Sequence, residues 1–225
     1  MNNVHDMGGM QGYGPVVFDD QSEVFHADWE RRAFALTVAM NTAKQWNIDR
    51  SRSMRESLPP LRYLSNTYYQ IWLDGLERLL LDSQMATAEE IKQGVAITPA
   101  KSGVRALGPS EMPQALLNGW PSERAPTAMA QFQMGDVVRT VEFQPRSHTR
   151  LPRYARDKVG VIVAVNGVHV FPDKNAIGSD DPQWMYTVEF KASEIWGPDS
   201  TASVICLNCW EPYLRRDVEQ QHEAD

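Results

Sequence analysis

The sequence predicts an α+β fold: an extended N-terminal arm and a helical N-terminal domain, then a long linker and a C-terminal small β-barrel. Three observations carry this reading. Up to Gly94, apolar residues recur at intervals of three and four, the period of amphipathic helices. From Met134 the interval falls to two, the mark of half-buried strands. Between these regions lies a stretch with neither period, crowded with proline and glycine. The expected bounds are 1–28 for the arm, 29–94 for the helical domain, 95–130 for the linker and 131–225 for the barrel.

The arm carries Gly8, Gly9, Gly12, Gly14 and Pro15 without apolar periodicity, so it is expected to stay ordered only against a partner surface. Residues 29–44 place Trp29, Ala33, Leu36, Met40 and Ala43 on one stripe of a helix, facing either core or interface. A second helix is expected over 49–57, with Asp49 near its cap and Pro59 and Pro60 ending it. Arg52 and Glu56, four apart, share one of its faces. Asn66 or Thr67 caps a third helix bearing Ile71, Trp72, Leu76, Leu79 and Leu80. Thr87 and Glu90 form a capping box that opens a fourth, stopping at Gly94.

The linker holds Pro99, Pro109, Pro113, Pro121 and Pro126, and its length predicts a connection laid across another surface. Beyond it, "GDVVRTVEF", "VGVIVAVNGVHVF", "MYTVEF" and "SVICLNCW" read as about five short strands, the second segment forming a hairpin around Asn166 and Gly167. Short strands in such number suit a strongly bent, SH3-like barrel that closes its own edges.

Acidic residues outnumber basic ones by 29 to 22, a net charge of −7, which opposes general binding to nucleic acid. No apolar run is long enough for a membrane span and the start lacks signal-peptide character, so the cytoplasm is the expected compartment. The only cysteines, Cys206 and Cys209, lack the further ligands of a structural zinc site and are expected as buried or half-buried strand thiols.

A self-contained enzyme would show a nucleophile with its base, a metal cluster or a phosphate loop; the sequence shows none, and its five histidines are scattered singly. What it does show is half a site: Arg52 and Glu56 on a helix, Tyr68 and Tyr69 after a cap, and His148 and Arg150 in the basic stretch "HTRLPRYARDKVG" before the second strand. Arginine suits the holding of an oxyanion, because its planar fork gives two parallel hydrogen bonds and stays charged. Arg153, Arg156 and Lys158 in the same stretch read as surface charges paired with acidic groups.

The segments "MNNVHDMGGMQGYGPV", "FHADWERRAFAL", "YLSNTYYQIW", "HTRLPRYARDKVG", "FPDKNAIG", "YTVEF" with "IWG", and "CWEPYL", in this order, resemble the beta subunit of nitrile hydratase over nearly the whole chain. The resemblance implies hydration of nitriles to amides. It places the low-spin cobalt(III) or iron(III) ion, with cobalt favoured, on a partner alpha subunit, where two cysteine ligands are oxidised to sulfinate and sulfenate. This chain would then bind no metal. By motif, Arg52 and Arg150 would hydrogen-bond to those sulfur oxygens, Tyr68 would orient substrate at the pocket wall, and Glu56 and His148 would support the site and pass protons. Ile48, Ser51 and Trp72 would join Tyr68 in binding substrate. Ile71 stands where some cobalt-type relatives have histidine, and Ser51 and Thr37 replace aromatics, which implies a shifted substrate preference. An αβ dimer or (αβ)2 tetramer is implied, with the linker wrapping the partner, a small nitrile as substrate, and neither nucleic acid nor membrane as partner. Two alternatives stand beside this reading. An RNA-binding SH3-like module is opposed by the acidic charge. A thiocyanate hydrolase-like subunit is opposed by the unbroken chain.

Overall fold

The structure, a computed structural model, describes residues 1–15, 23–105 and 107–217. Helices and an antiparallel sheet occupy two compact units: Gln11–Trp120 with Asn3–His5, and Pro121–Asp225 with Met1–Asn2 and Asp6–Met10.

The first unit holds six helices among its described residues: α1 (Asp28–Asn41), α2 (Ile48–Glu56), α3 (Pro60–Ser65), α4 (Tyr68–Asp82), α5 (Ala88–Gln93) and α6 (Met112–Asn118). Helix α4, the longest, packs against both α1 and α2. Its close approach to α2 depends on Gly75, where a Cβ would overlap Cγ of Arg55. The helix gives up about 1 kcal/mol of propensity at this glycine to admit that side chain.

Thr67 and Gln70 form a capping box at the start of α4, and Thr87 and Glu90 form another at α5, which ends in left-handed Gly94. Helix α2 starts one residue before its expected bound, because the Asn47 side chain accepts from Arg50 N at 2.8 Å and caps it; Asp49 lies inside the first turn. Helices α3 and α6 were not expected. Their prolines, Pro60 and Pro113, sit in the first turn, where a missing N–H costs nothing. The stripe on α1 is divided between buried and exposed positions. The helix buries Glu30, Ala33 and Thr37, while Trp29 and Leu36 are exposed.

In the second unit every pairing is antiparallel among β1 (Glu123–Arg124), β2 (Val137–Thr140), β3 (Val159–His169), β4 (Gln183–Lys191), β5 (Val204–Trp210) and β6 (Leu214–Arg216). The strand order is β5-β4-β3-β2-β6, with β1 on β3. Tyr186, Val188 and Phe190 alternate into the core, as their period of two requires, and meet Val138, Ile162 and Leu151 there.

One expectation fails, and the sheet is not seen to close among the described residues. Asn166 and Gly167 do not turn a hairpin: β3 runs through them as one strand, and the register against β4 shifts between Val165 and Val168. Gly167, at φ +87°, supplies the positive dihedral for this irregularity. The reversal comes later, through α7 (Pro172–Asn175). Nor is the sheet a closed ring among the described residues. It is an open path whose ends are β5 and the three-residue β6, too short to offer much ladder to a second neighbour. A 3-10 turn, Glu211–Tyr213, joins these two strands.

The N-terminal segment is anchored by its own chain. Within the sheet unit, Asp6 accepts from Arg153 N at 2.9 Å, and Gly8 and Gly9 lie against the rings of Tyr154 and Trp196. Within the helical unit, Asn3 Nδ2 donates to the carbonyls of Glu56 and Leu58 at 2.7 and 3.0 Å.

Candidate functional site

On the helical unit, α2 and the first turns of α4 carry the expected residues. Ile48 and Tyr68 are exposed, at 50% and 64%. Arg52 Nη1 donates to Asp49 Oδ1 at 3.2 Å, so a buried carboxylate steadies a half-exposed guanidinium. Glu56, one turn along, lies 3.9 Å from His5 Nε2. Ser51 stands apart from these groups: it is 2% exposed, and its carbonyl and hydroxyl accept from Arg55 Nε and Nη2 at 3.2 and 3.4 Å. Thr37 is buried and its hydroxyl donates to the Ala33 carbonyl; Ile71 is partly buried on α4.

Trp72 belongs to an aromatic cluster. Its ring centroid lies 5.7 Å from Tyr68, 6.0 Å from Tyr69 and 5.9 Å from Phe34. The Arg55 guanidinium sits over the indole, 4.8 Å from its centroid, and burial lowers its pKa. Sequence reasoning missed Arg55; its place one turn after Ser51 and three residues after Arg52 was the available signal.

On the sheet unit, the loop before β3 buries His148, Thr149 and Leu151 and exposes Arg150 between them. The Tyr213 hydroxyl ties this loop. It accepts from Thr149 Oγ1 at 3.1 Å and from Arg150 N at 3.0 Å, and donates to Asp173. Burial pushes the Asp173 carboxyl up, against the hydrogen bond from Tyr213 and the charge of His148. Burial and the neighbouring Asp173 raise the Tyr213 phenol in turn.

The remaining basic residues divide. Arg153 pairs with Asp6, as a surface charge would. Arg156 corrects the surface reading: it is 5% exposed, donates to the carbonyls of Leu151 and Phe143 and to Asn2 Oδ1, and stacks 5.0 Å from the Phe143 centroid. Its guanidinium is spent on the chain's own carbonyls.

Fold and side chains thus define an α+β protein with two sets of arginine, carboxylate and phenol groups, one on each unit. Among the described residues no group of three His, Cys, Asp or Glu side chains could hold a metal, and no helix is long and apolar enough to cross a membrane.

Residues 1–128 match the family described as nitrile hydratase beta subunit, N-terminal, and residues 121–216 match its C-terminal counterpart. The nitrile hydratase subunit beta of Pseudomonas putida is 36% identical over 217 residues, covering 95% of this chain and 99% of that one. The low-molecular weight cobalt-containing nitrile hydratase subunit beta of Rhodococcus rhodochrous is 32% identical over 225 residues, with the same coverage. The cobalt-containing nitrile hydratase subunit beta of Pseudonocardia thermophila is 32% identical, covering 95% of this chain and 96% of its own. Among solved structures, recombinant apo thiocyanate hydrolase from Thiobacillus thioparus overlaps 40% of this chain and 78% of its own at 25% identity, with a TM-score of 0.38. The chain belongs to the nitrile hydratase beta subunit family. It is a subunit of a heteromeric hydro-lyase that converts nitriles to amides.

Proposed function

We propose that this chain completes a nitrile-hydrating centre held by an alpha subunit, directing Arg52 from its helical unit and Arg150 from its sheet unit at the oxygens of oxidised cysteine ligands. One observation carries this reading: Arg150 is exposed on a loop whose neighbours His148, Thr149 and Leu151 are buried and whose backbone is tied to Tyr213. Such a support fixes the origin of the guanidinium, whose planar fork suits an anion. Arg52, braced by Asp49, has the same character.

In this reading Tyr68 orients substrate by its phenol, while Ile48, Trp72 and Ser51 shape the pocket side of the helical unit. Glu56 and His148 hold and pass protons. Cobalt or iron on the alpha subunit supplies Lewis acidity when bound; the cobalt named in two relatives favours that metal. The arginine forks and phenol hydroxyls this chain presents fit the surroundings of such a centre, since they donate hydrogen bonds to anionic oxygens.

The exposed Trp29, Phe34 and Leu36 of α1, Leu61 and Leu64 of α3, and Leu116, Leu117 and Trp120 at the end of the proline-rich segment form the apolar surface for the partner. Residues 95–130 wrap that partner, and 1–28 act as an arm, in an αβ dimer or (αβ)2 tetramer. The antiparallel sheet with its 3-10 turn before the last strand is read as an SH3-like barrel in the domain 131–225, following the helical domain 29–94. Two free thiols fit a reducing, cytoplasmic setting.

Co-production with the alpha subunit, metal analysis and a nitrile hydration assay test the proposal. The expected result is a metal-containing heteromer that forms amide. A stable, inactive complex in which the metal is ligated by this chain would contradict it.

A further inference from the structure

We infer that Tyr213 and Asp173 are positioning residues for Arg150, a role that rests on the reading of Arg150 given above. Three segments distant in sequence meet at the Tyr213 hydroxyl. The 3-10 turn between β5 and β6 supplies the phenol, the first turn of α7 supplies Asp173, and the loop before β3 supplies Thr149 Oγ1 and Arg150 N. The phenol oxygen accepts two hydrogen bonds and donates one, so its capacity is filled.

The direction of the chain of donors matters. Asp173, as acceptor, commits the phenol proton to itself. The phenol oxygen then faces the loop only with lone pairs, which select the Thr149 hydroxyl proton and the Arg150 N–H. A phenol whose proton pointed at the loop would compete with these donors. The carboxylate therefore sets the polarity of the contact that holds the Arg150 backbone.

Shape alone does not require these groups. The Tyr213 ring packs against Phe171, Phe143 and Trp210, with centroids 5.3, 6.2 and 6.2 Å away, and phenylalanine would keep all three contacts. The hydroxyl, buried with its residue, adds a polar tie from the core to the Arg150 backbone that the ring contacts do not supply. A buried acid and phenol without an apolar reason to be there are costly to place unless they specify an arrangement.

Tyr213→Phe tests this in the heteromer with its alpha subunit. Expected are wild-type assembly and metal content, a KM within about twofold, and a kcat lower by about tenfold. Hydrogen exchange, followed by mass spectrometry, should quicken in the peptide covering 148–152. In an Arg150→Lys background the added Tyr213→Phe change should lower kcat no further, because the side chain it positions is already altered. Asp173→Ala, which removes the acceptor, carries the same expectations if Tyr213→Phe does not assemble. Multiplicative losses in the double variant, or unchanged kcat and loop exchange in the single variant, would overturn the inference. Wild-type turnover of Arg150→Lys alone would instead remove the reading of Arg150, and the exchange data would still report whether Tyr213 holds the loop.

Discussion

Arg55 and Trp72 join α2 to α4: the guanidinium lies 4.8 Å from the indole centroid, and the stem of the same arginine fills the place a side chain would take at Gly75. The first contact orients the tryptophan beside Tyr68, and the second makes a glycine necessary in the middle of a fifteen-residue helix.

Gly75→Ala is therefore expected to destabilise the protein although alanine is the better helix former. The gain of about 1 kcal/mol in propensity is outweighed by overpacking against Arg55 Cγ, which typically costs about 1–3 kcal/mol. A net loss of about 1 kcal/mol would lower Tm by roughly 2–4 °C. Thermal unfolding measures this, and a raised Tm would show that α2 and α4 do not approach at Gly75 as closely as the packing requires.

Arg156 and Arg153, three residues apart in the same basic stretch, should differ in what they contribute. Arg156→Lys should cost about 2 kcal/mol, because lysine cannot reach the Leu151 and Phe143 carbonyls and Asn2 together. Arg153→Lys, at an exposed pair with Asp6, should cost under about 1 kcal/mol. Equal losses in urea unfolding would return Arg156 to the status of a surface charge.

Glu90 gives the fold a dependence on pH. It accepts from the backbone N–H groups of Thr87, Ile97 and Thr98 and from two threonine hydroxyls. These donors, the backbone of Thr98 first, hold its pKa far below the ordinary 4.5. A depressed folded pKa means that the stabilisation is fully present above 4.5 and is lost as pH falls through the much lower folded value. Glu90→Gln should thus be less stable at neutral pH and should lose less stability on acidification. Parallel curves of unfolding free energy against pH for the two proteins would contradict the assignment.

The two thiols should differ in reactivity. Burial pushes the Cys209 thiol up to about 12, whereas Cys206 is exposed on the same strand. Iodoacetamide at neutral pH should modify Cys206 alone in the folded chain, and both residues in denaturant. Alkylation of Cys209 without unfolding, read by peptide mass spectrometry, would show that β5 opens locally.

Local signals were the legible part of this sequence. The cap at Asn66 or Thr67, the capping box at Thr87 and the alternation of Tyr186, Val188 and Phe190 each depend on neighbours within a few residues, and the structure contains them, with Thr67 as the cap. Proline misled: Pro60 and Pro113 begin helices, but a proline at the first turn and a proline after a helix read alike in one dimension. Asn166 and Gly167 carry the composition of a tight turn, and only pairing with β4 over the full length of β3 makes them an irregularity in a strand. At the site, residue types were legible and their supports were not. Nothing near Arg150 in sequence announces Asp173 or Tyr213, because the hydroxyl that ties them spans 40 and 63 residues. Their segments, "FPDKNAIG" and "CWEPYL", had entered only as marks of resemblance.

The most direct test of the central claim is kcat for nitrile hydration by the heteromer carrying Arg150→Lys, with Arg52→Lys alongside. Lysine keeps the charge and loses the two-pronged hydrogen bond, so both variants should assemble with metal and lose about 100-fold or more in kcat. Near wild-type turnover in both would contradict the claim that this chain serves the reaction through its arginine forks.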